Sequence, residues 1–212
     1  LGFDLERFNT DKDSKRKEFR KKWNLKEYEI AIGIIGRLVP IKNHTFFIDA
    51  IQEVIKYSKV PIRAFIVGDG EEKQNIVNYI KNKKLDFSLD YTPATFQLTS
   101  WIKEIDKVNS GMDIICLTSL NEGTPVSLIE AQANGKPIVS TKTGGIENIV
   151  LENKTALLSE KNDLDNFSKN LLSLVNDSNK RKLFSEFGLE KSKDFHYHQL
   201  VNNIKNLYEK IL

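Results

Sequence analysis

The sequence predicts a three-layer α/β domain, a mostly parallel sheet of about six strands held between two layers of helices. Three observations carry this expectation. Short apolar runs alternate along the chain with stretches of helical period, and the loops between them are polar or glycine-rich. Strands separated by helices require crossover connections, which make neighbouring strands parallel and cover both faces of the sheet. A chain of 212 residues, 40% hydrophobic and 29% charged, is long enough for one such core and too apolar for a disordered or fibrous protein.

The elements follow in order. Residues 1–28 read as a linker and a leading helix, and the lysine- and arginine-rich run at 12–22 reads as a solvated helix face. The first strand, 29–35, ends in Gly36, and a polar loop leads to an amphipathic helix over 44–57. A strand at 62–67 turns at Gly68-Asp69-Gly70 into a helix over 71–83 with Ile76, Val77 and Ile80 on one side. A short third strand is predicted near 85–89, a helix over 102–109, and an apolar strand at 113–117. A loop through Gly123 opens a helix from about Pro125 to Asn134, which Gly135 terminates. The run 137–140 is a further strand, Thr143-Gly144-Gly145 a turn into a short helix ending at Val150, and 155–158 the sixth strand. The rest is helical: Leu171, Leu172, Leu174 and Val175 mark a core stripe, and 197–212 forms the last helix.

Composition narrows the function classes. A net charge of +3 from 32 basic and 29 acidic residues is too even for a nucleic-acid binder. The lone Cys116 lies in an apolar strand and predicts a buried thiol in a reducing compartment. No apolar stretch approaches the roughly 18 residues that span a bilayer, and no secretion signal opens the chain, so the expected location is cytoplasmic. The chain starts at Leu1 without an initiator methionine, which suggests a piece of something longer. His44, His196 and His198 have no supporting ligand set, so no metal is expected.

The chemistry concentrates in two loops. In Asn121-Glu122-Gly123-Thr124-Pro125-Val126-Ser127-Leu128-Ile129-Glu130, a helix starting near Pro125 leaves Glu122 in the loop and Glu130 one to two turns down the helix, both able to face one cleft. The amides from Gly123 to Ser127 are unpaired donors at a helix start, suited to an anion such as a diphosphate. In Gly36-Arg37-Leu38-Val39-Pro40-Ile41-Lys42-Asn43, a forked guanidinium and an ammonium can neutralise a leaving diphosphate without metal. Gly68 and Gly70 form a third, weaker signal, a tight turn after a strand. Trp101 alone reads as a partly buried packing residue.

These motifs, in this order, resemble the C-terminal domain of the retaining glycosyltransferases built from two facing Rossmann-like domains, the group 1 or family-four type. The resemblance covers nearly the whole chain. It runs through Gly2-Phe3-Asp4-Leu5-Glu6-Arg7-Phe8, the Gly36-Arg37 loop, the Gly68-Asp69-Gly70 turn, the Glu-x7-Glu pair Glu122 and Glu130, Gly135-Lys136-Pro137-Ile138-Val139 and Gly144-Gly145-Ile146-Glu147-Asn148-Ile149-Val150.

The resemblance implies a donor-binding half of a two-domain enzyme. It makes Arg37, Lys42 and Glu122 the catalytic set, with the cations on the diphosphate and Glu122 on the transferred sugar. It makes Gly36, Gly68, Gly70, Trp101, Gly123, Thr124, Pro125, Val126 and Ser127 donor-binding, with Glu130 on the ribose hydroxyls and Trp101 near the base. Residues 90–98 depart from the family's shorter, glycine-containing link, which leaves the base unassigned. The implied substrate is a nucleotide-diphosphate sugar, with no cofactor and no metal. The implied partners are an N-terminal acceptor-binding domain absent from this chain and, for the full enzyme, the inner face of a membrane, in cell-surface polysaccharide synthesis. On this reading 1–28 is the interdomain segment, 29–190 the α/β core, and 195–212 a helix that packs on the absent domain. Two other readings stay open: an epimerase half-domain of the same fold, and a non-catalytic nucleotide-sugar-binding module.

Overall fold

Two strands are written almost entirely in the aliphatic and aromatic residues that suit a sheet buried on both faces: β1 (Ile30–Ile35) and β2 (Ile62–Val67). They lie at the centre of a computed structural model that describes residues 2–211. Around them run β3 (Phe87–Ser88), β4 (Phe96–Thr99), β5 (Ile114–Leu117), β6 (Ile138–Thr141) and β7 (Ala156–Ser159). The order is β3-β4-β2-β1-β5-β6-β7, and every adjacent pair is parallel.

The period-two alternation of the strands divides the core into two layers. Ile30, Ile32 and Ile34 of β1 pack with Phe47 and Ile51 of α3 (His44–Tyr57), Ile76 and Ile80 of α4 (Lys73–Asn82), and Phe167 and Leu171 of α8 (Leu164–Asn176). On the other face, Ala31, Ile35 and Phe65 meet Phe8 of α1 (Glu6–Asn9), Phe19 of α2 (Lys12–Lys22), Val108 of α5 (Ile105–Gly111), Leu128 and Ile129 of α6 (Val126–Ala133), and Ile146 of α7 (Ile146–Ile149). Cys116 is buried in β5. α9 (Ser178–Ser192) packs beside α6, and α10 (Tyr197–Ile211) ends the described chain.

Two expectations are corrected. The sheet has seven strands and not about six, because Phe96–Thr99 form a further one, β4, which is interior while β3 is the short edge. β4 is hard to see because a polar Gln97 sits in its middle. Gln97 is fully buried and accepts from Arg63 Nη2 at 3.0 Å, so the polar residue is satisfied from the neighbouring strand. The basic run of α2 is also not a purely solvated face. Arg20 is 1% exposed and bonds Asp113 Oδ2 at 3.3 Å and the carbonyls of Gly111 (3.3 Å) and Glu29 (2.9 Å). Arg16 Nη2 meets the other Asp113 oxygen at 2.9 Å. These cations satisfy carbonyls that the end of α5 leaves without intrahelical partners, and so clamp α2 to the core.

α10 behaves differently from every other long helix. Leu200, Val201, Ile204, Leu207, Tyr208 and Ile211 recur at helical spacing, yet no residue of α10 is buried. It is held at its amino end, where Tyr197 N donates to Phe3 O at 3.1 Å and Phe3 N to Phe195 O at 2.9 Å. Among the described residues no helix is long and apolar enough to cross a membrane.

Candidate functional site

Because all strands run one way, the loops after β1, β2, β4, β5 and β6 gather at a single edge with the amino ends of the following helices. The chain moves outward from β1 to β2 and later returns to place β5 on the other side of β1, so a crevice opens between these two strands at the switch in direction. The two loops richest in candidate residues flank that crevice.

Their backbones are tied together. Thr118 Oγ1 donates to Lys42 O at 2.8 Å and Asn43 O at 3.1 Å, and Leu120 N donates to Ile41 O at 2.8 Å. On this base the Lys42 ammonium meets Glu122 Oε1, and Ser119 Oγ donates to the same oxygen at 2.6 Å. The Lys42 and Glu122 side chains are 21% and 10% exposed. Arg37 is exposed in the same loop, next to Gly36.

Each loop is backed by a glycine turn from the next strand outward. Gly68 follows β2 at φ +147°, and a Cβ there would overlap the Gly36 carbonyl oxygen. Gly70 is pressed in the same way against Leu38, and Leu38 N donates to Asp69 O at 2.9 Å. Beyond β6, Gly144 (φ +53°) and Gly145 lie against the backbone of Glu122 and Gly123. Gly145 N donates to Glu122 O at 3.1 Å and Thr143 Oγ1 to Leu120 O at 3.0 Å. The amide of Gly145 thus holds the Glu122 loop.

α6 starts at Val126 with Pro125 as its cap residue and no side-chain cap. Its first bonded amide is that of Leu128, to Pro125 O at 3.1 Å, which leaves the amides of Val126 and Ser127 without an intrahelical acceptor. Gly123 and Thr124 are exposed, and a Cβ on Gly123 would meet only open space. Pro125 is buried and Ser127 half-buried. Glu130 lies one turn into α6, with Arg7 Nη2 at 4.0 Å and its side chain 18% exposed. Burial pushes its carboxyl up to about 7. Arg7 opposes that shift and Asp106 adds to it.

Trp101 stands apart from this group. It is 60% exposed, just past the end of β4, and lines an open cavity of about 490 Å³ with Tyr91, Trp23 and Lys22. The Tyr91 and Trp23 rings lie 4.6 Å apart. β2 separates β4 from β1, so Trp101 stands two strands along the edge from the loop that carries Lys42. The structure therefore brings Lys42, Glu122, Gly123 and the start of α6 together, with Arg37 in the same loop as Lys42 and Glu130 one turn below. Ser119, Arg7 and Asp106 escaped the sequence reading. Ser119 stood within three residues of Glu122 and could have been found; Arg7 and Asp106 reach Glu130 only through tertiary packing. Among the described residues no three His, Cys, Asp or Glu side chains gather as a metal would need.

Comparisons with known proteins identify the family and the fold. Residues 15–191 match the family described as "Glycosyl transferases group 1". The chain is 30% identical over 98% of its length to the UDP-Gal:alpha-D-GlcNAc-diphosphoundecaprenol alpha-1,3-galactosyltransferase of Escherichia coli, covering 52% of that protein. It is 27% identical over 89% of its length to an uncharacterized glycosyltransferase of Methanocaldococcus jannaschii, covering 50% of it. The chain thus spans about half the length of the curated relatives it matches. In fold it is similar to Anabaena HepE in complex with UDP and glucose, with a TM-score of 0.82 and 18% identity over 99% of this chain and 55% of that one. It is also similar to the C-terminal domain of the group 1 glycosyl transferase LpcC from Francisella tularensis, with a TM-score of 0.71 and 22% identity over 91% of this chain and 97% of that one.

Proposed function

The chain belongs to the group 1 glycosyl transferases, and on that premise we propose that it is the donor-binding half of a retaining enzyme that moves a sugar from a nucleotide-diphosphate sugar to an acceptor. One observation carries this reading: Lys42, Glu122 and the free amides of α6 share one crevice, with Glu130 a turn below. Arg37 and Lys42 neutralise the leaving diphosphate, the α6 amides add backbone donors, Glu122 holds the transferred sugar, and Glu130 takes the ribose hydroxyls. Departure of the nucleotide frees the face from which the acceptor attacks, so configuration is kept. Residues 29–190 form the donor core and 1–28 lead in from a preceding acceptor domain.

The half-length match to the curated relatives supports a missing partner domain, and the bare apolar stripe of α10 gives that domain a surface to cover. The diphosphoundecaprenol in the name of the E. coli relative supports a lipid-linked acceptor and work at the inner membrane face, in surface polysaccharide synthesis. UDP in the Anabaena structure makes it the first nucleotide to try. Calorimetry with UDP, GDP, ADP and their sugar conjugates is expected to show binding that falls at least tenfold in Arg37→Ala and in Glu130→Ala, the loss of one or two charge-assisted bonds. Equal binding by wild type and both variants refutes the assignment.

A further inference from the structure

The cation that this reading assigns to the diphosphate already has an anion on it. Lys42 and Ser119 converge on one oxygen of Glu122, and both members of the ion pair are mostly covered, so solvent screens the pair less than an exposed one. The two loops are tied by Thr118 and Leu120 and backed by glycine turns. These contacts fix the two loop backbones to each other, so a change of side-chain partner breaks the pair without moving either loop.

Resting on the donor-site reading, we propose that Glu122 is an internal stand-in for the diphosphate: it occupies the anion position on Lys42, and Lys42 exchanges it for a phosphate oxygen when nucleotide binds. The exchange leaves Glu122 held by Ser119 but facing new negative charge. A half-buried carboxylate beside a diphosphate is unfavourable unless it receives hydrogen bonds in return. Sugar hydroxyls attached to that diphosphate supply them, and a bare nucleoside diphosphate does not. The pair therefore discriminates between the two ligands, weakening retention of the bare diphosphate that remains after transfer while tolerating the intact sugar nucleotide.

The test is a double-mutant cycle read by calorimetry, with UDP, GDP, ADP and inorganic pyrophosphate as probes. Glu122→Gln keeps the shape and removes the competing charge; it is expected to bind the best of these probes about 3- to 10-fold more tightly than wild type. Lys42→Met is expected to weaken binding, and in the Glu122→Gln/Lys42→Met double variant most of the gain disappears, because no cation remains to be released. Glu122→Ala serves as a second charge-removing variant should the glutamine variant melt early. Unchanged or weaker binding in both Glu122 variants, with binding still lost in Arg37→Ala and Lys42→Met, overturns the exchange and leaves the donor site standing. A gain that persists undiminished in the double variant assigns the effect to plain repulsion and also overturns the exchange. Failure of wild type to bind UDP, GDP, ADP and every one of their sugar conjugates overturns the exchange and the donor site together.

Discussion

Glu130 shows what burying a carboxylate costs a fold. Its carboxyl is pushed up to about 7, chiefly by burial, whereas in the unfolded chain it titrates near the ordinary value of about 4.3. Between those two values the folded protein binds more protons than the unfolded one, so this group makes stability fall as pH rises from about 4.5 to 7 and leaves a constant deficit above. Glu130→Gln is therefore expected to raise stability at pH 8 by on the order of 1–3 kcal/mol and to flatten the fall between pH 4.5 and 7, while nucleotide binding weakens. Denaturant melts of both proteins at pH 5 and pH 8 measure this; an equal effect at the two pH values refutes the ionisation argument. Arg7, at 4.0 Å, recovers part of the deficit, and it comes from the leading segment and not from the sheet.

At the scale of elements, the site loops are placed by neighbours more than by their own sequences. The Gly36 loop leans on the turn after β2, and the Glu122 loop leans on the turn after β6. Gly68→Ala adds a methyl group where the Gly36 carbonyl already stands, in a backbone region unfavourable to side chains. We expect it to destabilise the chain by about 2–4 kcal/mol and to weaken nucleotide binding even though Gly68 need touch no ligand, as thermal melts and calorimetry would report. This dependence explains what was legible. β1, β2 and α3 announce themselves as unbroken apolar runs or a clean helical stripe, and the spacing of Glu122 and Glu130 already places both on one loop-helix junction. β4 hides because the partner that satisfies Gln97 lies 34 residues away. The Lys42–Glu122 pair hides for a related reason: it exists only because β5 returns beside β1, an adjacency that sequence order does not state. The buried Arg20 was misread because a basic run looks the same whether its arginines face water or the carbonyl end of another helix.

At the scale of the molecule, α10 is, among the described residues, the one long helix that contributes no buried side chain to the core. A chain ending at residue 196 is expected to keep its melting temperature within a few degrees and to stay monomeric, while the full chain self-associates as its concentration rises through the exposed stripe of Leu200, Ile204 and Leu207. Sedimentation velocity across a concentration series distinguishes the two, and a 212-residue chain that remains monomeric throughout refutes the role given to the stripe. The uniform strand direction has a consequence of a different kind. With every strand pointing the same way, α3, α4, α5, α6 and α8 all return their amino ends to one rim, each adding a partial positive charge of roughly half a unit made of backbone alone. That potential belongs to the fold and survives any exchange of lysine or arginine. In a variant without Arg37 and Lys42 this rim is still expected to draw anions, weakly and with little discrimination.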